Sequence, residues 1–296
     1  VCVQSADPNS LQRLLRTYPF QLDALLLLSD YLGRTAQHEL AAELVERAVY
    51  ACEGALHPMC KPWLGTARLS WAEPANRPFF RALGRHMLNV ARRGCPRTAL
   101  EIGRLLVGLD PAADPTHALL HLDHFALRAA AAAAAPREAE WVLRLPRAYP
   151  SHGLGLYPNY ALSAAVALRW LGRAAEAERQ LRRALLLFPA ALPLLAREAL
   201  PEHAGARRVA DEWAAELGAA AGLDAAGATL RTLLALYAAR HAAHWREAAE
   251  RDWLLEQATA LLAALRRGDA ATLAMRDDCA AVRASEYRGA PAAHDE

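Results

Sequence analysis

Isoleucine occurs once in this 296-residue sequence, at Ile102, and Val, Ile and Thr together supply only 20 residues. Sheets draw heavily on β-branched side chains, which pack well on a pleated surface, so a sheet-based fold is excluded at the outset. Lysine is as scarce: Lys61 stands alone, and Arg carries every other basic charge. With 34 basic residues against 32 acidic ones the formal net charge is +2. That is no electrostatic footprint for DNA or RNA, which needs a basic face or stripe. No apolar run reaches the ~20 residues of a membrane span without a charge or proline interrupting it. The segment "ALRAAAAAAAP", Ala126 to Pro136, is apolar, but its seven alanines are too few and too weakly hydrophobic. The five cysteines (Cys2, Cys52, Cys60, Cys95, Cys279) are odd in number and irregular in spacing, and no signal peptide is visible. Reduced thiols in a cytosolic or nuclear protein are the expectation. The first residue is Val1 rather than Met, and the expectation is a piece of a longer chain. No Gly-x-Ser-x-Gly elbow and no phosphate-cradling Gly loop is present. With no nucleophile beside a visible base, neither an enzyme nor a cofactor is expected.

What is abundant is Ala, Leu, Arg and Glu, the strongest helix formers, and the fold class read from them is all-α. Helix punctuation is explicit. Cys95-Pro96 opens a helix that Pro111 closes, and Pro158 opens "PNYALSAAVALRWLG". Asp114-Pro115 reads as an N-cap followed by Pro at the first helical position, with Pro136 as the stop. Gly94 and Pro111 are 17 positions apart, as are Gly172 and Pro189. Ala99 and Ala177 stand five places after their glycines, Leu106 and Ala184 twelve. Ala99, Ile102, Leu106 and Leu109 then form one apolar stripe, with Arg97, Glu101 and Arg104 facing away. Ala177, Leu181, Ala184 and Phe188 form the other, with Glu178 and Arg182 spaced to pair outside. Small residues in a stripe let helices approach, and a Gly at the turn permits a sharp reversal. These are the second halves of tetratricopeptide-like pairs whose first halves are Arg77–Ala91 and Asn159–Leu171. Leu22–Leu32 with His38–Ala55 forms a third pair, with Gly33 in the place of Gly172. Neighbouring pairs are expected to stack into a solenoid over residues 1–200. A helical extension over 201–285 follows, with helices near Leu230–His244, Glu250–Arg267 and Asp269–Ser285. Glu216–Thr229 reads as a flexible loop, and 286–296 as a disordered tail.

Cys52, His57 and Cys60 suggest a metal, but a fourth ligand is missing, and packing thiols with a capping imidazole are the favoured reading. His121, Asp123 and His124 have no Glu-x-x-His partner, and a structural role is again favoured. Some tetratricopeptide domains clamp a partner's terminal carboxylate with Lys and Asn. One Lys and few Asn argue against that mode. Asn76, Arg77 and Phe79–Phe80 in "ANRPFF" read equally well as a binding edge or as cap and staple of the following helix.

Several stretches together resemble a known family. They are "YPFQLDALLLLSD" (Tyr18 to Asp30), "LVERAVYACEGALHP" (Leu44 to Pro58), "NRPFFRAL" (Asn76 to Leu83), "RRGCPRTALE", "LDPAADP", "LLHLDHFALRA" (Leu119 to Ala129) and "YPNYALS" (Tyr157 to Ser163). In this order and wording they resemble the transcription factor 25 family, also called nuclear localised protein 1, with ribosome quality control complex subunit 1 as its yeast relative. The resemblance runs from Tyr18 to Pro189 and continues more weakly to Trp253 through "LYAARHAAHWRE". Ala75 stands where the family usually has Glu, Ala248 where a Pro usually follows, and Ala129–Ala135 replace a more varied linker. The family's charged N-terminal region is not among these 296 residues, and no direct DNA binding is expected of this segment. The resemblance implies an adaptor, without catalytic residues, acting in cytosol and nucleus in ribosome-associated quality control. Implied partners are the Listerin-type E3 ubiquitin ligase, ubiquitin, the 60S ribosome-nascent chain complex and the p97/Cdc48 unfoldase pathway. A nuclear transcriptional repressor or adaptor, and a helical enzyme with an unseen site, are the alternatives from other classes. The residues put forward for protein contact are Asn76, Arg77, Arg93, Arg97, Asp123 and Arg128.

Overall fold

The computed structural model describes residues 7–133, 135–218 and 227–286, and among them the chain forms helices and turns but no strand. It separates into two compact units, Val1–Ala135 and Pro136–Glu296.

The first unit holds α1 (Pro8–Thr17), α2 (Leu22–Arg34), α3 (His38–Ala55), α4 (Arg77–Arg92), α5 (Pro96–Leu109) and α6 (Leu119–Ala132), each packed on the next. Helix α1 starts where the Asp7 carboxylate accepts from Asn9 N and Ser10 N, with Pro8 in the first turn where no intrahelical N–H bond is needed. Ser29 donates to Ala41 O at 2.9 Å, tying α2 to α3. Asp30 pairs with Arg85 at 2.6 Å, tying α2 to α4. The second unit holds α7 (Glu140–Ala148), α8 (Pro158–Trp170), α9 (Ala174–Leu187), α10 (Ala191–Glu198), α11 (Ala204–Leu217), α12 (Ala228–Arg246), α13 (Ala248–Arg266) and α14 (Ala270–Glu286). Here α8 packs on α9 and α12, and α9 also meets α13 and α14. Trp213 and Trp245 are fully buried, and Trp213 satisfies its indole N–H on Pro189 O at 2.9 Å.

One turn recurs. Gly94, Gly172 and Gly268 have φ of 84°, 76° and 72°. In each case the next residue's N–H closes on a carbonyl five positions back: Cys95 on Val90, Arg173 on Leu168, Asp269 on Ala264. This satisfies the helix's orphan carbonyls, and the left-handed residue falls to Gly because a Cβ there is strained. The α2–α3 turn has the same closure, Gln37 N to Leu32 O at 2.9 Å, but its left-handed residue is Ala36 at φ 61°. Gly33, expected in that role, lies inside α2. A left-handed alanine costs roughly 1–2 kcal/mol, so the turn is held by the helices it joins.

Other expectations need correction. The helix expected from Asp114-Pro115 begins four residues later, at Leu119. Asp114 (φ 38°) and His117 (φ 51°) make a turn instead. The capping itself is real: Asp114 accepts from Ala118 N at 2.9 Å and Leu119 N at 3.0 Å. That helix ends at Ala132, before Pro136, which opens a short 3-10 turn. On α5 the buried residues are Pro96, Ala99, Leu100, Gly103, Leu106, Val107 and Leu109, while Ile102 is half-buried at the side. Gly103 matters here, because a Cβ on it would stand 2.5 Å from Leu122 Cδ2, and its absence lets α6 close on α5. The α9 stripe is buried as expected, with Arg182 3.8 Å from Glu178. Helices α1, α7, α10 and α11 were not anticipated. Of the segment read as a loop, 219–226 lie outside the described residues, and its two ends are helical, up to Leu217 and from Ala228. Tyr287–Glu296 also lie outside them.

Candidate interaction surface

The residues put forward for contact do not converge. Asn76 and Arg77 act on their own loop: Asn76 Nδ2 donates to Ser70 O at 3.0 Å and Arg77 Nε to Trp71 O at 3.1 Å. The Arg77 guanidinium lies 5.6 Å from the Trp71 ring centroid, and Trp71 packs edge-on against buried Phe80. The Asn76 side chain makes no N-cap bond, so α4 is stapled through Phe80 and Trp71 rather than capped. Arg93 sits beyond the far end of α4, which at 1.5 Å per residue is roughly 24 Å from Arg77, and there it pairs with Glu46 at 2.5 Å. Arg97 and Arg128 are exposed on α5 and α6. Asp123 is 0% exposed, so in this conformation it has no surface to offer.

What the first unit does expose is aromatic. Tyr18 is 62% exposed, Phe20 53% and Tyr50 68%. Phe20 and Tyr50 lie 6.1 Å apart, and the Arg47 guanidinium lies 5.5 Å over the Phe20 ring. Tyr and Arg dominate the energetics of protein interfaces, because they combine large contact area with hydrogen-bonding tips. The signal was present in "YPFQLD" and in the outward α3 positions Leu40, Glu43, Arg47 and Tyr50, spaced as one helix face. Sequence alone does not show that these side chains stay exposed among the described residues. A groove of about 360 Å³ runs beside α5, lined by Pro62, Gly65, Ala67, Ile102 and Leu105, with the Glu101–Arg104 ion pair also lining it.

In the second unit Ser163 Oγ lies 3.4 Å from His241 Nε2, and His241 Nδ1 lies 3.1 Å from Tyr237 O. This has the outline of an activated hydroxyl. However, Ser163 is 0% and His241 2% exposed, which gives a substrate no access. Burial pushes the imidazole down to about 3, so it stays neutral and joins α8 to α12 as a packed, hydrogen-bonded pair. Among the described residues no group of three or more His, Cys, Asp or Glu side chains could hold a metal. Cys52 is buried, which pushes its thiol up to about 11, and His57 Nδ1 accepts from Met59 N at 3.2 Å. His121 and His124 instead pack against the Phe125 ring. No helix among the described residues is long and apolar enough to cross a membrane.

The class of protein so defined is all-helical among the described residues, with exposed aromatic side chains on α3 and in the α1–α2 turn and Arg47 beside them. The chain belongs to the Tcf25 family, whose model, described as "Transcriptional repressor TCF25", matches residues 1–294. It is 35% identical to the human "Ribosome quality control complex subunit TCF25", over 98% of this chain and 43% of that protein. It is 36% identical to "Ribosome quality control complex subunit 1" of Schizosaccharomyces pombe, over 56% of this chain and 24% of that one. It is 33% identical to "Probable transcription factor claV" of Ampulloclitocybe clavipes, over 87% and 34%. The chain therefore spans less than half the length of these relatives. No solved structure matches it.

Proposed function

We propose that this chain is a scaffold of ribosome-associated quality control, with no catalytic centre of its own. In this reading it binds a Listerin-type RING ubiquitin ligase and ubiquitin on stalled 60S subunits in the cytosol. It favours the ubiquitin linkage that the proteasome and the p97/Cdc48 pathway recognise. The observation that carries the reading is the 35% identity over 98% of the chain to a protein named as a ribosome quality control subunit. The physical logic is effective concentration: holding acceptor ubiquitin beside the ligase makes attack intramolecular and restricts which lysine reaches the reacting carbonyl. Residues 1–200 would form the tetratricopeptide-like repeats and 201–285 the helical extension. The recurring turns at Ala36, Gly94 and Gly172 support that repeat reading, since each joins two packed helices.

The test is a reconstituted ubiquitination of stalled nascent chains on 60S particles with the ligase, with and without this chain. Co-sedimentation with the particles and a change of linkage are expected. An unchanged linkage on omission would remove the mechanism. A Phe20→Ser, Tyr50→Ser double variant is the first surface change to compare, since neither side chain is buried.

A second reading, a nuclear repressor or adaptor working through protein contacts, is favoured by the family description and by the fungal relative named as a probable transcription factor. It predicts chromatin occupancy that is indifferent to ribosome stalling.

A further inference from the structure

Lys61 is the single lysine among these 296 residues, and every other basic position is Arg. Lysine is ordinarily among the commonest residues of a globular chain, and its ε-amine is the side-chain group that accepts ubiquitin. Arginine supplies the charge without that chemistry, because its guanidinium stays protonated and does not attack an acyl group. It still closes the ion pairs of this fold. Arg85 meets Asp30 at 2.6 Å, and Arg266 meets Glu212 and Glu216 at 3.2 and 3.3 Å.

The one acceptor amine stands in the segment between α3 and α4, on an exposed residue. Its backbone is held on both sides. Cys60 N bonds His57 O at 2.7 Å, and Leu64 N bonds Lys61 O at 3.0 Å as the short 3-10 turn Pro62–Leu64 begins. The neighbouring Met59 and Leu64 are 84% and 62% exposed. Residues 56–65 contain no Asp or Glu, and among the described residues the Lys61 side chain makes no hydrogen bond or ion pair. A surface loop set on a rigid scaffold is the part of a fold that another protein's active site reaches most readily.

We infer that Lys61 is the one side-chain ubiquitin acceptor of this chain, so that a ligase working beside it can mark the scaffold on this loop and nowhere on its helices. The inference rests on the quality-control reading, which brings a ubiquitin thioester next to the chain. Any amine held there gains effective concentration, so a scaffold's own lysines compete with those of the nascent chain. Here the competition is reduced to one group. In the step itself the unprotonated ε-nitrogen attacks the thioester carbonyl at the C-terminus of ubiquitin. The C–N bond forms and the C–S bond breaks. The carrier's sulfur leaves and takes up the proton that the amine gives up.

The experiment is the reconstituted reaction on 60S particles, read in two arms. With ordinary ubiquitin, the linkage on the nascent chain reports the scaffold reading. With ubiquitin whose lysines are methylated, so that no polymer grows, the label on this chain reports the inference. One ubiquitin per chain is expected, with the Gly-Gly remnant on Lys61 after trypsin. Lys61→Arg keeps the charge on an exposed residue and should leave helical content and nascent-chain linkage unchanged. It should lower the label at least about tenfold, since a guanidinium cannot replace the amine. Label that persists on Lys61→Arg, or that hydroxylamine releases as it would an ester, overturns the inference in favour of the amino terminus, a hydroxyl or a thiol. A linkage effect with no label on the chain also overturns it and leaves the scaffold reading standing. Label on Lys61 without a linkage effect does the reverse. If neither appears, both fall.

Discussion

The indole N–H of Trp170 donates to Glu250 Oε1 at 3.0 Å across 80 residues of sequence. Glu250 is buried. Its other oxygen faces Arg169 at 3.8 Å and His244 at 4.0 Å, and Arg169 lies 4.6 Å over the Trp253 ring. This cluster fastens α13 to α8. Removing the carboxylate strands a partly buried guanidinium and an indole donor together, so Glu250→Ala should cost about 3 kcal/mol. Glu250→Gln keeps an acceptor for the indole and should cost clearly less. Urea unfolding of the two variants measures the gap, and equal losses would mean that the indole hydrogen bond contributes nothing and the charge carries the whole effect.

His241 predicts a pH dependence. Its pKa lies at about 3 in the folded chain, because of burial first and the nearby His244 second, against ~6.5 when unfolded. The unfolded chain therefore takes up the proton first. The stabilisation is complete above pH 6.5 and is lost as pH falls toward 3. Burial lowers His244 too, against the pull of Glu250, and acts in the same sense. Between pH 6.5 and 5, above the range of ordinary carboxylates, His241 alone should remove about 2 kcal/mol. The stability curve of His241→Gln should be flatter over that interval. Parallel curves would assign the acid sensitivity elsewhere.

The turns make a reciprocal prediction. Ala36→Gly should stabilise the first unit by roughly 0.5–1 kcal/mol by relieving a left-handed alanine. Gly94→Ala and Gly172→Ala should each cost about 1 kcal/mol through backbone strain alone, since an added Cβ at either meets nothing within 4 Å. Thermal midpoints of the three variants decide the signs.

Two glycines of α5 should respond in opposite directions. A Cβ on Gly103 would meet Leu122 Cδ2 at 2.5 Å and Met87 Sδ at 3.1 Å, whereas one on Gly108 meets nothing within 4 Å. Gly108→Ala should gain up to ~1 kcal/mol of helix propensity. Gly103→Ala should lose about 1–3 kcal/mol through overpacking. A gain at both positions would mean α5 and α6 are less tightly apposed than their side chains indicate.

Residues that act locally on the backbone were readable in the sequence. Pro96 and Pro158 open their helices, and α3 ends at Ala55 as expected. Asp114 reads as a cap and is one, but its helix starts later than the Asp-Pro rule gives, because two left-handed residues, Asp114 and His117, make a turn first. Helix α10 escaped notice because Pro193 reads as a breaker, yet it stands third in the helix, where its missing N–H is not needed. Pro146 also reads as a breaker, yet it lies inside α7, two residues before that helix ends at Ala148. The surface was less legible than the fold. Tyr18, Phe20 and Tyr50 look like core residues in a list, and only the packing shows which aromatic side chains are left uncovered. Ser163–His241 and Trp170–Glu250 join positions nearly 80 apart, a separation that carries no local pattern.

The placement of tryptophan has an optical consequence. Trp141, Trp170, Trp213, Trp245 and Trp253 all belong to Pro136–Glu296, while Val1–Ala135 has Trp63 and Trp71. Trp213 and Trp245 are sealed from water, each bonded through its indole N–H. Intrinsic emission is therefore chiefly a meter of the second unit, and its red shift on unfolding will track that unit's melting. Amide circular dichroism counts helices in both. Where the two signals part company along one denaturation curve, the difference belongs to the first unit, and the two halves can be followed separately without a label or a cut in the chain.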